Sequence, residues 1–213
     1  MAAIQHPNLV RFIAAVFDER VEQLRDTPLL VLELLHTNLR DAYKDYNLGP
    51  SKVVPVFRDV AYGLHYLHEH NEPIVHRDVS APNVLLEALP GDMWRAKLSD
   101  FGSANFLRRA KTLGVGAIVY TAPEMFPREG PSAPMPHPTT KSDVFSYGIV
   151  LVEAITKTMP TTENRHQLFR EVEGKWRLMY DLISQCTEVD PNARPTMASV
   201  LNTLNRIPTA RPR

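Results

Sequence analysis

The chain has 213 residues, 44% of them apolar, and its 24 Lys plus Arg balance its 24 Asp plus Glu. That length makes one domain with a real core the natural expectation, and the ordinary apolar content excludes a disordered chain. The charge balance excludes a broad nucleic-acid face and a polybasic membrane anchor, the best local cluster being only Arg108-Arg109-Ala110-Lys111.

The single cysteine, Cys186, excludes an internal disulfide framework and suits a reducing compartment. It lies on a helical apolar pattern, which reads as a buried structural thiol rather than a reactive one. Met1 to His6 has neither the basic region nor the apolar core of a signal peptide. No apolar run approaches the roughly 18 residues that cross a bilayer. The expectation is a cytoplasmic chain without a membrane segment, or the cytosolic part of a larger protein.

Leu9 to Phe17 and Leu29 to Leu35 read as strands, with Asp18 to Thr27 as the turn between them. Leu39 to Tyr46 is a short helix. Pro50-Ser51 opens a long one, with Ser51 as N-cap and Val53, Val56, Phe57, Val60, Ala61, Leu64 and Leu67 on its apolar face. Pro55 falls in its first turns, where it is tolerated. His65, His68 and His70 stand at its end. His65 and His68 are one turn apart, but no carboxylate or thiolate completes a metal shell, so solvated histidines near the helix C-terminus are the better reading. Asn83 to Leu86 is a strand, and Leu89 to Asp92 a turn leading to Ala96 to Ser99. Five prolines between Pro127 and Pro138 mark a stiff loop. Pro131-Ser132-Ala133-Pro134 fits P-x-x-P, although a plain loop is the stronger reading. Trp176 to Cys186 and Thr196 to Leu204 show helical spacing, and there is no internal repeat.

Three short strings carry the chemistry. His76-Arg77-Asp78 and Asn83 read H-R-D-x-x-x-x-N; seventeen residues after Asn83 comes Asp100-Phe101-Gly102; further on stands Ala122-Pro123-Glu124. Alone, Asp78 or Asn83 is a plausible turn residue bonding its own backbone. Together the strings form the second half of the protein-kinase signature set, and the chain resembles the eukaryotic protein kinases over nearly its whole length. Ser142-Asp143-Val144-Phe145-Ser146-Tyr147-Gly148 and Asp190-Pro191-Asn192-Ala193-Arg194-Pro195-Thr196 are similar to two further family strings.

The resemblance implies a mainly helical α+β fold of the protein-kinase type. Residues 1–213 would be one domain: a small-lobe remnant (1–32), a hinge (33–38), a large lobe (39–207) and a tail (208–213). It implies transfer of the ATP γ-phosphoryl group to a protein hydroxyl with Mg2+. Phosphoryl transfer asks a protein for metal ions, charge neutralisation and an aligned hydroxyl, and magnesium prefers carboxylate and amide oxygens. By resemblance, Asp100 and Asn83 are the metal ligands and Asp78 orients the substrate hydroxyl. Leu32 as gatekeeper, Glu33, Leu35 and Leu85 would surround the nucleotide, together with Asn83 and Asp100. Arg77 would read a phosphate on Thr112, placed there by an upstream activating kinase. His76, Phe101 and Phe12 would join an apolar column between the lobes. Asp143 would bond the catalytic-loop backbone, and Glu124 would pair with Arg194.

The chain departs from the family in two linked places. Ser80 and Ala117 stand where Ser/Thr kinases usually carry Lys and Thr, which puts the hydroxyl type and the rate in doubt. The segment from Gly116 to Glu124 mixes Ser/Thr and tyrosine styles, resembles the tyrosine-kinase-like group, and leans slightly to Ser/Thr. No G-x-G-x-x-G loop, strand lysine or partner glutamate precedes His6, so Met1 reads as an internal methionine of a longer parent. Two functions follow: a protein kinase whose small lobe is truncated here, with doubtful activity on its own, or an inactive large-lobe scaffold that binds partners.

Overall fold

The computed structural model describes residues 4–17, 29–45, 48–100, 118–126 and 137–208. The architecture is mainly helical α+β, as the strings imply. An antiparallel hairpin comes first, β1 (Phe12–Val16) with β2 (Leu29–Leu32), its register irregular between Phe12 and Ala14. These aromatic and β-branched residues suit a pleated surface, yet Phe12, Ile13, Leu29 and Leu30 are each more than half exposed. A bare two-stranded hairpin is marginal in water. This one is tied down through the preceding segment: Val10 N–H donates to Leu98 at 2.8 Å and Leu98 N–H to Asn8 at 2.9 Å.

The second sheet runs in the order β3 (Thr37–Asn38), β4 (Val84–Leu89), β5 (Met93–Leu98), all antiparallel. The β4–β5 turn needs positive φ at Gly91 (77°) and Asp92 (58°), which Gly and Asp tolerate best.

Six helices carry the core among the described residues: α1 (Leu39–Asp45), α2 (Pro50–His68), α3 (Thr140–Thr156), α4 (Arg165–Lys175), α5 (Arg177–Cys186) and α6 (Met197–Leu204). Helix α2 begins one residue before the expected cap: Gly49 is the N-cap, without a side-chain bond, and Pro50 opens the helix. Proline at N1 needs no N–H partner and has its φ pre-set, so Ser51 is helical. Pro55 sits inside α2. Helix α3 is apolar nearly all round, the mark of a central helix. It packs on α2, α4 and α5. Tyr147 of α3 meets Phe57 of α2 edge-on at 5.6 Å between ring centroids, and its hydroxyl donates to the Phe57 carbonyl at 3.0 Å. Cys186 is fully buried and its thiol pushed up to about 12 by that burial, the structural thiol that its apolar setting suggested.

Helix α4 escapes the sequence reading because only Leu168 and Val172 of its eleven residues are buried. Gly148 faces α5 so closely that a Cβ there would sit 2.7 Å from Thr187 Cγ2 and 3.0 Å from Cys186 Cβ. Gly148→Ala gains about 1 kcal/mol of helix propensity but overpacks this contact by about 1–3 kcal/mol. Urea unfolding of that variant is expected to show a lower midpoint at unchanged m-value; an unchanged or higher midpoint would mean that α3 and α5 are not in close contact.

Candidate active site

The loop between α2 and β4 is held by one carboxylate. Asp143 lies in the first turn of α3, where the helix dipole favours negative charge, and is 1% exposed. Its Oδ2 accepts the His76 N–H at 2.8 Å and its Oδ1 the Arg77 N–H at 2.9 Å. His68 Nε2 lies 2.9 Å from Oδ2. His68 is therefore engaged rather than solvated, and the ring nitrogens Nδ1 of His65 and His70 are buried as well. That corrects the reading of His68 as a solvated helix-end residue, while His65 and His70 stay half-buried. Arg77 has φ 71°, a left-handed conformation costing a non-glycine residue roughly 1–2 kcal/mol. The two N–H bonds to Asp143 offset that strain.

Downstream, the loop is closed on itself and on β5. The Asn83 side-chain amide donates to the Asp78 carbonyl at 2.9 Å, and the Asn83 carbonyl accepts the Ser99 N–H at 2.9 Å and the Ser99 hydroxyl at 3.1 Å. Asp100, the next residue, has φ 60° and is exposed. One hydrogen-bonded chain thus brings Asp78, Asn83 and Asp100 to a single region. Ser80 is buried beside them. His76 is fully buried, and its Nδ1 accepts the Asp78 N–H at 3.3 Å. Desolvation lowers its pKa against the opposing pull of Asp143, Asp78 and Asp100, so the ring is neutral at pH 7.

This donor set fits a hard divalent cation. With Nδ2 of Asn83 donating to Asp78, its Oδ1 is left as an acceptor, and Asp100, one residue past the Ser99 that bonds the Asn83 carbonyl, is exposed. No group of three or more His, Cys, Asp or Glu able to cage a metal occurs among the described residues. One carboxylate and one amide oxygen suffice only for an ion that arrives with further oxygen ligands, as magnesium does with phosphates.

At the hairpin end, Leu32 is 42% exposed and Leu35 and Leu85 are half-buried. Glu33 accepts the Arg11 N–H at 2.7 Å and Lys97 Nζ at 2.8 Å on both oxygens. Burial pushes the Glu33 pKa up, but Lys97 and Arg11 outweigh it and hold the carboxyl below its ordinary range. The side chain of Glu33 thereby ties the hairpin to β5, a role that sequence reading missed. Phe12 is 53% exposed, so it does not pack in a buried column. Phe101, Thr112, Ala117 and the cluster Arg108 to Lys111 lie outside the described residues.

A second unforeseen network sits under Tyr120. The Glu153 carboxylate, on α3 and 0% exposed, accepts Arg40 Nε at 2.9 Å, the Tyr43 hydroxyl at 2.6 Å and the Tyr120 hydroxyl, which Arg40 also contacts. Burial and Glu153 push both tyrosines above their usual pKa. A lone acid in an apolar helix was the available signal. Next to it, Glu124 and Arg194 pair bidentately, both contacts at 2.7 Å, with the Arg194 side chain 0% exposed.

Three outcomes follow. Arg194→Leu strands Glu124 and is expected to lower unfolding free energy by about 3 kcal/mol, the low end for a broken buried pair because Glu124 is 17% exposed. Asp143→Asn turns a donor toward N–H groups and is expected to cost about 1–3 kcal/mol by the same urea titration. Because the folded His76 pKa lies below the unfolded value near 6.5, the unfolded chain binds the extra proton first. Stability should therefore fall as pH drops below about 6.5, by at most about 1.4 kcal/mol per pH unit for this group, and His76→Phe should remove that share of the slope.

A family model described as protein kinase domain matches residues 1–204. A probable serine/threonine-protein kinase of Dictyostelium discoideum is 31% identical over 94% of the chain. Serine/threonine-protein kinase 12 of Arabidopsis thaliana is 29% identical over 96%, and the dual specificity protein kinase splA of Dictyostelium discoideum 28% over 94%. The chain spans 19%, 45% and 9% of those proteins' own lengths. With the model matched over most of its residues, the chain belongs to the protein kinase domain family.

Proposed function

We propose that the protein to which this chain belongs transfers the ATP γ-phosphoryl group to a serine or threonine hydroxyl of a protein substrate in the cytosol. The observation that carries the reading is the Asp143-held loop, in which Asp78 and Asn83 are bonded to each other and Asn83 to the residue before Asp100. Residues 33–38 serve as the hinge, and Leu32, Glu33, Leu35 and Leu85 flank the nucleotide. Asp78 orients the substrate hydroxyl and takes its proton. Asn83 Oδ1 and the Asp100 carboxylate hold Mg2+, which when bound supplies charge neutralisation to the phosphates. Ser80 offers no cation to the transferring group, so the loop does without one source of transition-state charge stabilisation. Arg77, exposed beside Asp78, reads a phosphate placed on Thr112 by an activating kinase. The Ser/Thr preference draws on the similarity to serine/threonine-protein kinases.

The alternative, a partner-binding scaffold, draws on the exposed apolar hairpin of β1 and β2. Two measurements separate the readings. Titrating Mg-ATP against the melting temperature of the 213-residue chain should give stabilisation growing as RT ln(1 + [L]/Kd); a flat curve favours the scaffold. Transfer of labelled phosphate to a general protein acceptor by the full-length protein should fall at least about 100-fold in Asp78→Asn, with label on phosphoserine and phosphothreonine. Undiminished transfer would remove Asp78 from the chemistry.

A further inference from the structure

Beside α4 lies a groove of about 600 Å³ that shares none of its lining with the loop of Asp78 and Asn83. Its apolar surface comes from the half-buried Phe169 and Tyr180 over the buried ring of Phe145, and Phe126 and Val189 stand exposed around it. Its charge comes from Arg165 and Arg170 of α4, His166 lines it as well, and no carboxylate is among the described residues that line it.

Arg165 is the unusual member. Its guanidinium stands 5.0 Å from the Phe145 ring centroid and 5.7 Å from that of Phe169. Arg194 stands equally close to Phe145, at 5.0 Å, but has Glu124 as counter-ion. Arg165 has no carboxylate partner among the described residues, and burial lowers its pKa. It opens α4, so it also sits at the positive end of a helix dipole. Burying a cation without a counter-ion is costly, while Arg and aromatic side chains in a shared concavity are the residue types that anchor protein contacts. The groove thus holds an apolar floor, two guanidinium groups and, among the described residues that line it, no acid to neutralise them.

We propose that this groove docks an acidic linear peptide of a protein partner, its carboxylates meeting Arg165 and Arg170 and an aromatic or aliphatic side chain resting on Phe169 and Tyr180. The charge of the groove selects the partner's charge, and its rings select the anchor. The site is independent of phosphoryl transfer, so it stands or falls apart from the proposed activity.

The probe is a fluorescein-labelled decapeptide with glutamates flanking a central phenylalanine, with a glutamine-for-glutamate peptide as control, measured by anisotropy on the 213-residue chain. The acidic peptide is expected to bind at least about tenfold more tightly than the control, and its affinity should fall as salt is raised and screens the charges. Arg165→Gln and Arg170→Glu are each expected to weaken it at least tenfold. Arg170 is exposed, so its reversal keeps the test valid if the Arg165 variant fails to fold. Equal affinity for both peptides, or undiminished binding by Arg170→Glu, would overturn the proposal. Displacement of the probe by a synthetic peptide of residues 127–136 at lower concentration than by the unlabelled probe would overturn it in favour of an internal occupant. A dimer in sedimentation that Arg170→Glu abolishes would overturn it in favour of a second copy.

Discussion

The carboxylate of Asp143 is the constraint on which the site depends. It is buried at the start of the central helix and receives two successive backbone N–H groups from the loop that follows α2. Those bonds fix the peptide planes on either side of His76, and with the Asp78 N–H on His76 Nδ1 they hold Arg77 at a φ that an arginine would otherwise avoid. With Arg77 turned, Asp78 follows in a set direction, and the amide of Asn83 closes the loop on the Asp78 carbonyl. Left-handed backbone at both Arg77 and Asp100 fits the tendency of strained conformations to gather where a structure over-determines them.

Helix α3 supplies more than this one acid. Glu153, near its other end, gathers Arg40, Tyr43 and Tyr120, and the carbonyl of Lys141, in its first turn, accepts from Arg194. A buried charge is tolerated only with partners, and each of these has several. The segment around Tyr120 is consequently tied to α3 from both sides: Ser146 donates to the Tyr120 carbonyl at 2.7 Å while Glu153 takes its hydroxyl. The exposed i,i+4 pairs of α4 and α5, such as Lys175 with Glu171 and Arg177 with Asp181, are of a different kind, contributing a few tenths of a kcal/mol each.

The fold class was legible because the strings from His76 to Arg194 occur in order and because α2 carries a strong apolar stripe. The apolar runs Leu29 to Leu35 and Asn83 to Leu86 located two strands but not their ends, which fall at Leu29–Leu32 and Val84–Leu89. What escaped was set by partners distant in sequence. Helix α4 buries too few side chains to show a stripe. Ser51 has the side chain of a cap, but the conformational bias of Pro50 starts the helix one residue earlier. His68 looked solvated since nothing local announces a carboxylate 75 residues away. Glu33 likewise reveals its bond to Lys97 only once β5 lies beside the hairpin.

The central claim is that Asp143 holds the loop as rigidly as the core holds α3. Native-state amide hydrogen exchange tests it at the two N–H groups involved. The account predicts that the His76 and Arg77 amides exchange as slowly as those in the middle of α3, opening only with global unfolding. Exchange of both at the rate of the β4–β5 turn amides would contradict it, since the carboxylate would then not be holding the loop.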